Sequence, residues 1–170
     1  HARLASILGA GAEPIEVLER AEEHRGFWRP DQPRVVLLAE SHVYTSVSEL
    51  GRELRPSPEL PSGTPRGFVR LVYSLGYGED PLLDRRIPGP RNSGTPQFWK
   101  IFQYCAATPG TVVDHGDVQV TKTRDARQRL RAKVSILTRI KEKGVWLVDA
   151  SVAALYLPGQ PKPSAAVREQ

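Results

Sequence analysis

The amino-acid sequence predicts an α/β domain with a mostly parallel central sheet. Three observations carry that prediction. Val35 to Ala39 is a continuous apolar run with two β-branched residues, bounded by Pro33 and by polar residues, as in a strand buried on both faces. Val145 to Val148 reads as another buried strand, directly after a long amphipathic helix that Gly144 stops. Both strands run into a carboxylate, Glu40 on the first and Asp149 on the second. Open α/β sheets place their ligand crevice at such strand ends, so the two carboxylates are expected to share one.

The 170 residues suggest one domain over the whole chain, with enough length for a sizeable core. Hydrophobic content of 39% and charged content of 25% are ordinary for a soluble globular chain. No long apolar run predicts a membrane span, and the N-terminus lacks the apolar core of a signal peptide. Cys105 stands alone, which excludes an intrachain disulfide and a multi-cysteine zinc or iron–sulfur site, and fits an intracellular location. The chain has no Met, initiator included, so a trimmed segment is expected, at the C-terminus in particular. A net charge of +5 and a pI of about 9.6 favour a polyanionic partner such as nucleic acid.

Taken in order, Pro14 to Arg25 reads as a helix with Ile15, Leu18 and Ala21 at helical spacing and Gly26 ending it. Phe27 and Trp28 are expected to anchor the chain to the core before the strand at Val35. Ser46-Val-Ser-Glu49 matches a capping box, predicting a helix from Ser46 to Leu54. Pro56 to Pro65 is a Pro/Ser/Gly loop that regular structure cannot absorb. Phe68 to Leu75 reads as a further strand of the same sheet, centred on Val69 to Tyr73 and broken by Gly76-Tyr-Gly78. After a second Pro/Gly/Arg stretch, Pro88 to Thr95, a helix starts at Thr95-Pro96 with Phe98, Trp99, Ile101, Phe102 and Cys105 on its apolar face. Thr111 to Val120 is a hairpin or an irregular excursion around Asp114-His-Gly116-Asp117. Arg124 to Lys143 carries the stripe Leu130, Val134, Leu137, Ile140. Its Arg127, Arg129, Arg131, Lys133, Arg139, Lys141 and Lys143 either face solvent or lie against a phosphate backbone. From Pro158 the tail reads as loop or frayed end.

The chemistry-bearing stretch is Glu40-Ser-His42 with Tyr44, a polar turn between strand and helix start. Such a turn can hold a phosphate or a catalytic carboxylate; alternatively its Glu and His only cap and solvate. No Gly-x-Gly-x-x-Gly or Walker pattern occurs, so nucleotide-cofactor folds lose weight and no cofactor is expected. Glu40 and His42 with His115 and Asp117 make only an unspecific metal constellation, and no metal is expected.

Four blocks, in order between Pro33 and Tyr156, resemble the uracil-DNA glycosylase superfamily. Leu38-Ala-Glu-Ser-His42 lies where that superfamily has its water-activating motif, Gly-Gln-Asp-Pro-Tyr or Gly-Glu-Ala-Pro-Gly. Leu71-Val-Tyr-Ser74 is similar to its Leu-Cys-Phe-Ser segment, and Phe98 to Phe102 falls where it has an Asn-Ile-Tyr helix. Gly144-Val-Trp-Leu-Val-Asp149 resembles its Gly-Val-Leu-Leu-Leu-Asn segment. The resemblance implies a three-layer α/β/α domain that binds DNA and hydrolyses the N-glycosidic bond of a damaged or deaminated base. It implies Glu40 as the water-orienting carboxylate, with Ser41 at the place of the catalytic Asp and His42 beside them. Tyr73 matches the ring that stacks on the flipped base, and Asp149 the Asn that reads its edge. The family's glycine is Ala39 here, its proline is His42, the Asp is absent, and no His-Pro-Ser loop follows the last strand. Arg66, Arg70, Arg85, Arg86 and Arg91 are the candidate DNA contacts. Read without the resemblance, Tyr73 is a core aromatic and Asp149 the N-cap of a helix over Ala150 to Tyr156. A catalytically silent DNA-binding relative and a small-molecule hydrolase using Glu40 and His42 are the other two functional classes.

Overall fold

The computed structural model describes Ser6, Gly9 and residues 12–85, 94–118 and 125–155. It is a mixed α/β structure whose described strands, β1 (Val35–Ala39) and β2 (Val145–Asp149), pair in parallel. The register sets Val35 opposite Val145 and Ala39 opposite Asp149, so both chains leave the sheet at the same end. At the other end Gly144 O accepts Arg34 N at 2.7 Å and Val35 N at 3.1 Å. Gly144 has φ +75°, and a Cβ there would stand 2.7 Å from Gln32 O, so the turn into β2 requires glycine.

One face of this sheet is core and the other is not. Ala39, Val145 and Leu147 are buried, whereas Val36 is 57% and Leu38 73% exposed. The expectation of a β1 covered on both faces is therefore corrected. Hydrophobicity of the run said nothing about whether a second layer lies over it.

Helix α1 (Ile15–Phe27) follows Pro14, whose φ of −55° already suits a first turn. It buries Val17 and Ala21 and continues through Gly26, past its expected end. Phe27 meets Trp28 edge-to-face at 4.9 Å, the anchor expected of this pair. Helix α2 is short, Val47–Leu50, with the Glu49 carboxylate accepting Ser46 N at 3.1 Å. It does not reach Leu54, because Leu54 N turns to Arg66 O at 2.8 Å and Arg52 O accepts Phe68 N at 3.1 Å. Those two bonds make the isolated antiparallel bridge between Glu53 and Gly67, not a helical turn.

Residues 68–75 correct the expectation of a third strand. The segment folds into consecutive turns, with Ser74 N on Leu71 O and Tyr77 N on Ser74 O, each at 2.9 Å. Yet Phe68, Val69, Leu71, Val72, Tyr73 and Leu75 are all buried. A run covered on every side loses its periodicity, and strand and buried turn then look alike in sequence. The excursion at 111–118 is irregular, with a 3₁₀ turn over His115–Asp117; residues 119–124 lie outside the described ones.

Helix α3 (Pro96–Ala106) packs on α4 (Ala126–Glu142). Trp99, Phe102, Leu130, Leu137 and Ile140 join the core that also takes in Tyr73 and Leu147. The expected cationic face of α4 is corrected in part, because two of its cations point inward. Glu79 accepts Arg129 Nη2 at 2.7 Å and Lys133 Nζ at 2.8 Å, and the three side chains are at most 5% exposed. Lys141 Nζ donates to Phe27 O at 2.7 Å, and Lys143 Nζ to Ala107 O at 2.7 Å. Arg131 is exposed and pairs with Glu59. Among the described residues no helix is long and apolar enough to cross a membrane.

Candidate functional site

The common exit of β1 and β2 gathers a buried polar cluster. Ala150 N bonds Ala39 O at 2.8 Å and Ser151 N bonds Glu40 O at 3.0 Å, so the two departing loops run side by side. Beneath them lie His42 and Asp149, together with Glu13 and Arg25, whereas Glu40, expected to share the crevice with Asp149, is exposed. The side chains of His42, Asp149, Glu13 and Arg25 are at most 5% exposed.

Glu13 comes from the segment before α1. Its Oε2 accepts His42 Nε2 at 2.8 Å and Ala154 N at 2.9 Å, and its Oε1 accepts Thr45 N at 2.7 Å. A carboxylate can only accept, so the His42 proton sits on Nε2. His42 Nδ1 is then the open ring position, with no hydrogen-bond partner; Asp149 Oδ2 is 3.8 Å away, beyond hydrogen-bond range. Asp149 instead accepts from Arg25, which also pairs with Glu22. Arg25 reaches it from α1 because it lies four residues after Ala21 on the buried stripe. The helix expected over Ala150 to Tyr156 is absent from residues 150–155, so Asp149 caps nothing there.

The residues singled out by sequence fall into different surroundings. Glu40 is exposed at the end of β1. Ser41 is half-buried, and its Oγ accepts Leu155 N at 3.2 Å. Tyr73 is 1% exposed; its ring stacks on Phe102 at 5.9 Å and its hydroxyl accepts Leu147 N at 2.8 Å. Burial pushes the phenol well above its ordinary range, the Asp149 charge adding to the rise and Leu147 and Arg25 opposing it. The Tyr73 ring, expected to stack on a base, is enclosed in the core. Asp149, locked to Arg25 and covered, likewise presents no edge to a ligand.

Two of the candidate DNA contacts, Arg66 and Arg70, are paired within the molecule. Arg66 Nε donates to Leu54 O at 2.8 Å and its Nη2 approaches Glu53 at 3.2 Å. Arg70 holds Glu49 through Nε at 3.0 Å and Nη2 at 2.7 Å. Burial alone would raise the Glu49 carboxyl, but hydrogen bonds from Arg70 and Ser46 outweigh it and hold the group below its ordinary range. Arg85 is exposed next to Asp84. Arg86 and Arg91 lie outside the described residues.

His115 does not join His42: its Nδ1 faces Gln103 Oε1 at 2.5 Å and its ring packs edge-on against Tyr104. Among the described residues, no group of three or more His, Cys, Asp or Glu could hold a metal ion; the Asp117 side chain is not among them. What the arrangement supplies is one exposed carboxylate on a turn whose underside is fixed by buried hydrogen bonds. Sequence reasoning missed Glu13 and Arg25. Arg25 had a signal, a charge on the apolar stripe of a helix; Glu13 had none, being 29 residues from His42 and 141 from Ala154. No family model, curated protein or solved structure matches the chain.

Proposed function

We propose that this chain is a base-excising, DNA-binding hydrolase with a three-layer α/β/α fold like that of the uracil-DNA glycosylases. The observation that carries the reading is Glu40, an exposed carboxylate at the C-terminal end of a parallel strand, on a turn held from below by His42 and Glu13. Excision of a base needs a group that orients water or stabilises the cationic sugar, held still while the nucleotide is extruded. Glu40 takes that role. His42 and Ser41 keep the turn in place through Glu13 and Leu155 N, and neither they nor Asp149 touch substrate. The order of the four sequence blocks and the net charge of +5 support the DNA substrate.

Two earlier assignments leave the reading. Tyr73 and Asp149 belong to the interior, so stacking and edge contacts are assigned to no described residue. The small-molecule hydrolase loses its basis, because His42 is buried and bonded to Glu13 instead of opening beside Glu40. DNA binding without excision remains as the second reading. It is favoured by one observation: Glu40 stands without a second open catalytic group from the candidate set. Incubating the protein with duplex and single-stranded oligonucleotides carrying uracil, hypoxanthine or xanthine separates the readings. Alkali-labile strand cleavage at the modified base supports excision. Salt-dependent binding with no cleavage on any substrate supports the silent relative. Absence of both rejects a nucleic-acid role.

A further inference from the structure

We propose that Glu13 is the positioning residue of this crevice, a latch that joins the loop after β1 to the loop after β2. The inference rests on the reading of the strand ends as the functional site, and it goes beyond that reading in naming what holds them. Three donors converge on one carboxylate: Thr45 N at 2.7 Å and His42 Nε2 at 2.8 Å from the first loop, Ala154 N at 2.9 Å from the second. Glu13 is 3% exposed, so no water competes for these bonds. The two loops are also joined by backbone pairing at their roots, Ala150 N to Ala39 O and Ser151 N to Glu40 O, and by the bond from Leu155 N to Ser41 Oγ. Glu13 is the side chain that engages both loops at once.

The donor pattern gives the latch a chemical signature. All three partners are N–H donors, and only an acceptor with two oxygens satisfies them. Glutamine keeps the volume and shape but turns an NH₂ group toward at least one N–H. A residue that only filled space would tolerate that exchange; the latch would not. Conversely, a small carboxylate anion can fill the hole left by truncation.

The test is amide hydrogen exchange on the full chain carrying Glu13→Gln or Glu13→Ala. Both variants are expected to raise exchange in residues 43–46 and 151–155 together. The rise is about tenfold or more, as for one lost hydrogen bond. Helix α4 keeps its protection. Sodium formate, but not sodium chloride at equal ionic strength, restores both loops in Glu13→Ala. If Glu13→Ala does not fold, Glu13→Gln carries the test through the first readout. Loosening of only one loop, unchanged protection in Glu13→Gln, a rise that includes α4, or equal effects of formate and chloride would each overturn the latch. In an excision assay Glu13→Gln is expected to lower kcat more than it raises KM. Exchange needs neither DNA nor turnover, so a wild-type protein without excision would reject the glycosylase reading and leave the latch decided on its own.

Discussion

Two buried charge clusters hold this molecule together, and they are built differently. The triad of Glu79, Arg129 and Lys133 lies between the turn at Glu79 and helix α4, where two cations converge on one carboxylate. Burial lowers Lys133, and the Glu79 charge works against that fall; the same carboxylate raises Arg129. The strand-end cluster of Glu13, His42, Asp149 and Arg25 has the opposite bias, two carboxylates served by backbone N–H groups, one His and one Arg. Lys133 also sits over the Trp99 ring at 5.2 Å. His42 Nδ1 has no partner. Both clusters are interior and ion-paired; they differ in which sign of charge is in excess.

The sharpest way to break that contrast is to remove one carboxylate from each side. Glu79→Ala removes the carboxylate that two buried cations share, and the loss of stability is expected to be about 3–5 kcal/mol. Denaturant unfolding measures it. Asp149→Ala is expected to cost less, roughly 1–3 kcal/mol, because Arg25 keeps Glu22. Equal losses would erase the distinction between the two clusters.

Acid should act on the strand-end side through its neighbour in α1. His24 is 2% exposed, with Nε2 on Gly67 O at 2.8 Å, and burial lowers its pKa from the ordinary 6.5. The unfolded chain therefore binds a proton that the folded chain refuses. The stability that neutral His24 contributes is fully present above about pH 6.5 and is lost as pH falls toward the folded value, by at most about 1.4 kcal/mol per pH unit. Glu49 adds a second acid loss, below its ordinary 4.5, because its folded value is depressed. Thermal melts between pH 7 and 5 should show the first loss, and His24→Gln should flatten it. An unchanged slope in that variant would remove His24 from the explanation.

The smallest effect is expected on the outer face of the sheet. Leu38 is 73% exposed, so Leu38→Ser should change stability by no more than about 0.5 kcal/mol. A loss of several times that, in the same unfolding assay, would mean that something covers this face.

What sequence made legible follows the range of the interactions. Helices α1, α3 and α4 and both strands come from periodicity and stop signals, which are local. The turns at 68–75 were misread because burial on all sides leaves no period to count. The fate of the α4 cations was partly legible: Lys133 falls three residues after Leu130 and four before Leu137, on the apolar stripe itself. Its partner Glu79, 54 residues earlier, was not. At the strand ends, Glu40 and Asp149 were expected to share one crevice from two local patterns; both lie at the common exit, but Glu40 is exposed and the Asp149 side chain is buried beside His42. Glu13 and Arg25, which engage His42 and Asp149, arrive from the N-terminal part of the chain, and no spacing announces such contacts.

The claim that matters most is that the fixed turn presents Glu40 for excision chemistry. It is tested by single-turnover cleavage of base-modified oligonucleotides with wild type and Glu40→Gln, alongside DNA binding. The amide keeps the shape of the side chain but cannot take a proton or carry the charge that steadies a cationic sugar. Removing such a contribution should slow excision by about 100- to 10,000-fold and leave DNA affinity nearly unchanged. Excision at the wild-type rate by Glu40→Gln, or no excision of any base by the wild-type protein, would contradict it.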